Sequence, residues 1–228
     1  MPTRHPIDRS DTPIRLFKSD VLEFFTHVTP AVVVIVWLPV AVWLLSRAAW
    51  RSPAGSVGPI ATAVLAGILA WTLTEYLVHR FVFHFEPRTP AQERILFLFH
   101  GVHHAQPQLK TRLVMPPVVS LPLAALLYGV FLATLTVLGL RQWLDATCAG
   151  AVVGYLAYDL THYATHHLPM RRGVLKFLKQ HHMKHHYQTE DRRYGVSSPL
   201  WDVVFRTMPD ADAEGGRATP ARAGGSPD

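Results

Sequence analysis

The chain has 228 residues, of which 49% are hydrophobic and only 17% charged, with a net charge of +6. A soluble domain carries about 25% charged residues, so this composition points to an integral membrane protein with long uncharged runs. The single cysteine, Cys148, excludes an internal disulfide and a thiolate metal site. Beside such apolar runs the positive charge fits an anionic lipid surface better than nucleic acid, so no nucleic acid partner is expected.

Residues 1–27 are polar and end in an amphipathic stretch (Val21, Leu22, Phe24, Phe25), expected to lie on the membrane surface as a cytoplasmic segment. His5 and His27 are expected to face solvent there. The first apolar run begins only at Val28, behind Arg4, Arg9, Arg15 and Lys18, so it reads as a retained membrane helix and not a cleaved signal. Residues 28–45 make a helix of about 27 Å at ~1.5 Å per residue, just enough to span. Pro39 should kink it. Residues 46–58 are a turn region.

Residues 59–83 form a second span, uncharged until Glu75 and ending in the pair His79 and His84. In the polar connection 85–112, Thr89-Pro90-Ala91-Gln92 reads as an N-cap, a first-turn proline and a capping-box Gln. The helix it starts, residues 90–104, carries His100, His103 and His104. Residues 113–140 hold no charge and form a third span. A turn leads to a fourth at 144–165, ending in His162 and His166. Residues 170–187 read as a basic amphipathic helix on headgroups, with Val174, Phe177 and Leu178 on one face. It carries His182, His185 and His186. Residues 209–228 read as a disordered tail.

The 22 lysines and arginines fix an orientation: all but Arg47, Arg51 and Arg141 fall on one side of this topology. The positive-inside rule makes that side cytoplasmic, together with both termini. All four histidine clusters then meet at the cytoplasmic face. The expected fold is all-α: residues 28–208 form four transmembrane helices capped on the cytoplasmic side by a helical, histidine-rich di-metal domain.

Neutral imidazole is a good ligand for Zn, Fe, Cu or Ni. Residues three and four apart share a helix face, so each His-x-x-His-His can present three imidazoles together, and His162 with His166 two. His79 and His84 are five apart, so the helix must unwind or the pair must reach around it. One ion takes four to six ligands; ten candidates suggest two ions with a position open for water, oxygen or substrate. A lone histidine near a membrane face is usually interfacial, but four clusters with ligand spacing on one side are poorly explained that way. His167 and His181 are neighbours of the pattern. Glu75 and Asp159, one turn before His79 and His162, could orient imidazoles through the second nitrogen. Tyr76, Tyr158 and Tyr163 read as aromatic-belt residues. Trp201 and Phe205 could line a substrate entrance or anchor in the membrane.

The ordered series His-x4-His, His-x2-His-His, His-x3-His and His-x2-His-His resembles the fatty acid hydroxylase superfamily, the histidine-box membrane enzymes. The segment HHMKHHY followed by YGVSSPLWDVVFRT is most similar to the end of the catalytic domain in its fatty acid 2-hydroxylase branch. The similarity covers residues 60–208. The resemblance implies a non-haem centre of two Fe ions, with zinc able to take their place in a purified protein. Its ligands would be His79, His84, His100, His103, His104, His162, His166, His182, His185 and His186. It implies an O2-dependent monooxygenase hydroxylating a membrane lipid or fatty acyl chain at C2. Eukaryotic members of this branch carry an N-terminal cytochrome b5 domain, for which residues 1–27 are too short, so electrons are expected from a separate redox partner of ferredoxin or cytochrome b5 type. A sterol desaturase or carotenoid hydroxylase of the same superfamily stays open. So do a bis-His b-type cytochrome, whose ligands would face each other within the spans, and a metal transporter, which would place ligands near the bilayer midplane.

Overall fold

The computed structural model describes residues 6–209. His5 and the tail beyond Pro209 lie outside the described residues, and with them the expectations for that histidine and a disordered tail. Every regular element among the described residues is helical. In order they are α1 (Asp20–Phe24), α2 (Pro30–Arg51), α3 (Val57–Val78), α4 (Pro90–Leu96), α5 (Val102–Ala105), α6 (Pro117–Val137), α7 (Leu144–His167), α8 (Gly173–Tyr187) and α9 (Leu200–Val204). A π-helical turn, His79–Phe83, continues α3, and a second, Phe97–Gly101, joins α4 to α5.

Among the described residues, three segments are long and apolar enough to cross a membrane: Pro30–Arg51, Val57–Phe83 and Pro117–Val137. The fourth expected span, α7, has the length at 24 residues but turns small and polar residues inward, and 14 of them are buried. It packs chiefly against α3 and then α2. Glycine makes the fit with α3 possible. A Cβ at Gly150 would stand 2.0 Å from the Val64 carbonyl oxygen, and one at Gly67 2.0 Å from that of Thr147. At each contact a glycine on one helix lets the backbone of the other come close, the small-residue packing of membrane helices. Gly150 and Gly154 are four apart, a signal legible in the sequence that hydropathy does not register. At the far end Asp145 receives Arg47 at 3.2 Å and Arg51 at 3.5 Å, tying α2 to α7.

The capping signal at Thr89 holds. Its hydroxyl accepts from Gln92 N–H at 3.2 Å, and Gln92 Oε1 reaches back to Arg88 N–H at 2.7 Å. The helix it starts runs through the second π turn to Ala105. The basic helix begins later than expected, at Gly173, whose φ is +57°. It buries Leu178 and His181, His182, His185 and His186, while Val174 and Phe177 point outward. Its inward face is therefore set by histidine more than by aliphatic residues.

The N-terminal segment is strapped onto this layer. Gln106, buried, accepts from Ile14 N–H at 2.9 Å and donates to Asp8 at 2.8 Å and the Thr12 carbonyl at 3.0 Å. Arg112 binds the Ile14 carbonyl and pairs with Glu23. His27, expected in solvent, instead bonds Thr111 Oγ1 at 2.9 Å and faces Arg112 at 3.0 Å.

The backbone contact between α3 and α7 is testable. Gly150→Leu forces the helices apart and is expected to cost about 1–3 kcal/mol or more. Gly129→Leu on α6, where a Cβ meets nothing within 4 Å, is expected to be neutral. Melting in detergent should separate the two; equal melting temperatures would contradict this packing.

Candidate metal centre

The ten histidines converge from four helix ends and sort into two groups. His79, His84, His100, His104 and His185 form one, and His103, His162, His166, His182 and His186 the other. Within each group the ligand nitrogens all lie within 4.8 Å of one another.

The π turns explain how. A π-helix bonds i to i+5 and has more residues per turn than an α-helix, so residues five apart come to one face. His79 and His84 therefore meet, ring centroids 4.9 Å apart, and the expected unwinding takes the form of this π turn. Each His-x-x-His-His divides between the groups. His100 and His104, four apart, enter the first while His103 enters the second; His182 and His186 enter the second while His185 enters the first. The two groups abut where His104 stacks on His186, centroids 4.0 Å apart.

The inward atom is Nε2 throughout. In the first group His79 and His104 approach His100 at 3.2 and 2.9 Å, and His185 approaches His84 at 3.1 Å. In the second, His103 meets His162 and His186 at 3.0 Å, and His182 meets His166 at 2.9 Å and His186 at 3.1 Å. Two imidazole lone pairs at such distances repel unless a proton or cation lies between them. An ion bonded to imidazole nitrogen at about 2.0–2.1 Å places adjacent ligands about 3 Å apart. The donor set, imidazole without thiolate or carboxylate, suits Zn, Fe, Cu or Ni. The residues present thus fit a pair of transition ions. Five convergent rings per group also leave no plane for a haem, against the b-type cytochrome reading.

Burial favours the neutral form of these rings. It pushes His84, His100, His103, His104, His182 and His186 well below the ordinary histidine value, with repulsion among neighbouring rings adding to it. His185 is pushed down to about 4 for the same first reason.

The second nitrogens are served differently from expectation. His79 Nδ1–H donates to the Tyr194 carbonyl and His185 Nδ1–H to the Arg192 carbonyl at 2.7 Å. Glu75 touches no imidazole: it accepts from Val196 and Ser197 N–H at 2.6 and 2.8 Å. Asp159 likewise accepts from Met115 N–H at 3.1 Å and Tyr155 at 3.0 Å. Asp202, by contrast, does meet a histidine of the last cluster, 3.1 Å from His181 Nε2. Burial raises its pKa, but hydrogen bonds from His181, Thr207 and Gly195 outweigh that and hold it below its ordinary value. His181 is buried but belongs to neither group. His167 also stays outside them, half-buried, its ring 4.7 Å from Tyr163.

A cavity of about 380 Å³ opens onto both groups through His100, His103 and His162. Phe17, Leu22 and Phe25 of the N-terminal segment wall it, with Val118 and Val119 of α6. Tyr158 lines it as well and stacks on His162, centroids 5.9 Å apart, so it is no belt residue. Nor is Tyr76, fully buried with its hydroxyl 3.1 Å from Thr207. Trp201 and Phe205 lie elsewhere: Trp201 donates to Thr72 at 3.0 Å and Phe205 stacks on Tyr76. A second apolar cavity, about 230 Å³ between α2, α6 and α7, touches none of the ten histidines.

The family model described as fatty acid hydroxylase matches residues 64–207. The chain is 38% identical over 208 residues to a dihydroceramide fatty acyl 2-hydroxylase of Arabidopsis thaliana, covering 91% of this chain and 85% of that one. It is 35% identical over 221 residues to fatty acid 2-hydroxylase of Rattus norvegicus, covering 89% of this chain and 58% of that protein. The solved hydroxylase domain of scs7p is similar with a TM-score of 0.76 and 35% identity, over 85% of this chain and 71% of that chain.

The buried histidines set a pH dependence. Their folded pKa values lie below the unfolded value of about 6.5, so below that pH the unfolded chain binds more protons and stability falls with acidification. For His185 the window runs from 6.5 down to about 4. Each such group contributes at most about 1.4 kcal/mol per pH unit inside its window. Metal-free protein is expected to melt progressively lower from pH 7.5 to 5. A melting temperature flat across that range would contradict the neutral, buried clusters.

Proposed function

The chain belongs to the fatty acid hydroxylase family, and from that membership and its paired histidine groups we propose a membrane-bound di-iron hydroxylase acting at C2 of lipid acyl chains. The observation that carries the reading is the pairing itself: two five-imidazole groups, side by side, at the wall of an apolar cavity. His79, His84, His100, His104 and His185 would hold one ion, and His103, His162, His166, His182 and His186 the other. When bound, the irons supply the chemistry that turns O2 against an unactivated C–H bond. One oxygen atom enters that bond and the other leaves as water, consuming two protons and two electrons. A separate donor of ferredoxin or cytochrome b5 type delivers the electrons.

The protein's own part is placement and exclusion. Phe83, Phe99 and the apolar wall of the N-terminal segment receive the acyl chain and keep water from the ligands. The cavity reaches His100, His103 and His162, so a chain lying in it brings a methylene to the ions. Tyr194 and Arg192 carbonyls hold His79 and His185 with Nε2 facing inward. In this reading residues 28–208 are one hydroxylase domain, with α7 as an inner fourth span. The histidine layer and both termini lie on the cytoplasmic side, supported by the lysine and arginine distribution.

The reading is tested by mass spectrometry of host lipids with and without the protein. A gain of one oxygen on acyl chains, located at C2 by fragmentation, is expected. His162→Ala and His185→Ala should each abolish it while the protein is still made and membrane-inserted. Unchanged acyl chains, or oxygen appearing on sterols or carotenoids instead, would refute the substrate assignment.

A further inference from the structure

An imidazole that binds metal through Nε2 carries its proton on Nδ1, which then needs an acceptor. In the first group one loop supplies two: the Tyr194 carbonyl for His79 and the Arg192 carbonyl for His185. In the second group Nδ1 of His103, His162 and His182 is buried with no protein partner. The two groups have the same number of ligands and unequal support.

The supporting loop is fixed from both sides. Asp202, fully buried, accepts from the N–H groups of Tyr194 and Gly195 at 2.8 Å, from the Thr207 hydroxyl at 2.7 Å and from His181 at 3.1 Å. Glu75 holds the next two residues by the amides of Val196 and Ser197. Gly195 is required, because a Cβ there would stand 2.1 Å from the Ser198 carbonyl oxygen. The Gly195 N–H and the Tyr194 C=O belong to one peptide group. A carboxylate at its N–H end polarises the carbonyl at the other end, which is where His79 donates.

We infer that Asp202 is a positioning residue for the centre: through the Tyr194–Gly195 peptide it fixes the proton of His79 on Nδ1, so that the first group retains its ion more tightly than the second. The inference rests on the two-ion reading above and adds that the two positions are unequal.

The test uses the full chain in detergent, loaded with Zn(II) as probe and challenged with excess chelator, with bound metal followed over time. Two equivalents are expected, leaving in two steps of one ion each. Asp202→Asn should speed or weaken the slow step about 10- to 100-fold, the usual effect of losing an outer partner of a metal-bound histidine, and leave the fast step unchanged. His84→Ala should remove the slow step and His166→Ala the fast one; these two decide the assignment even if Asp202→Asn fails to fold. Release of both ions in one step, a slow step lost in His166→Ala, or a folded Asp202→Asn protein with wild-type kinetics would overturn the inference. Binding of fewer than two ions would overturn the di-metal reading with it.

Discussion

Ten imidazoles, eight of them buried and His84 and His166 half-buried, are crowded together, with their Nε2 atoms 2.9–3.2 Å from one another in seven contacts. Nothing in the protein alone makes that arrangement favourable. Protonating the rings would relieve the lone pairs but places positive charges together in a buried space, which burial opposes. A divalent cation at the centre of each group would satisfy five nitrogens at once. The helices are laid out to the same end. His79 and His84 follow α3, and His103 and His104, His166, and His185 and His186 lie in the last turns of α5, α7 and α8. Helix C-termini carry partial negative charge, which favours a cation nearby.

Holding the rings in one tautomer falls to residues that bind no metal in this scheme. Glu75 rises from α3 and Asp202 from α9, and both spend their oxygens on the amides of one short loop. That loop then presents carbonyls to His79 and His185. A buried carboxylate touching a ligand directly would add negative charge to the site. Acting through a peptide group, it fixes the ring and keeps the charge one residue away.

Much of this was written in the histidine spacing. Pairs four apart must share a helix face, and His100 with His104, His162 with His166 and His182 with His186 each enter one group together. The division of each His-x-x-His-His between two groups was not legible, because it depends on what the facing helix presents across the gap. The His79–His84 spacing signalled an anomaly without naming the π turn that resolves it. Glu75 and Asp159 misled for a related reason. Each stands one turn from a ligand, but its hydrogen bonds go to amides far along the chain, Val196 and Met115, which no local pattern announces. Hydropathy also undervalues α7: a helix buried among helices needs small residues more than greasy ones, and Gly150 and Gly154 were the available clue.

The N-terminal segment shows how the same economy extends to the cavity. Alone, a five-residue helix such as α1 would not hold its shape in water. Here its position is dictated by polar bonds on one side: Gln106 to Ile14 and Thr12, and Arg112 to Glu23 and Ile14. Those bonds face the histidine layer, so Phe17, Leu22 and Phe25 are left to wall the cavity beside His100 and His103. Val21 and Phe24 remain exposed on the same short helix, 67% and 73%. Apolar side chains left open next to an apolar cavity favour contact with lipid over water. An acyl chain moving from the bilayer toward the histidines would then keep hydrocarbon around it the whole way, and the polar straps on the opposite face would hold the wall in place as it passed.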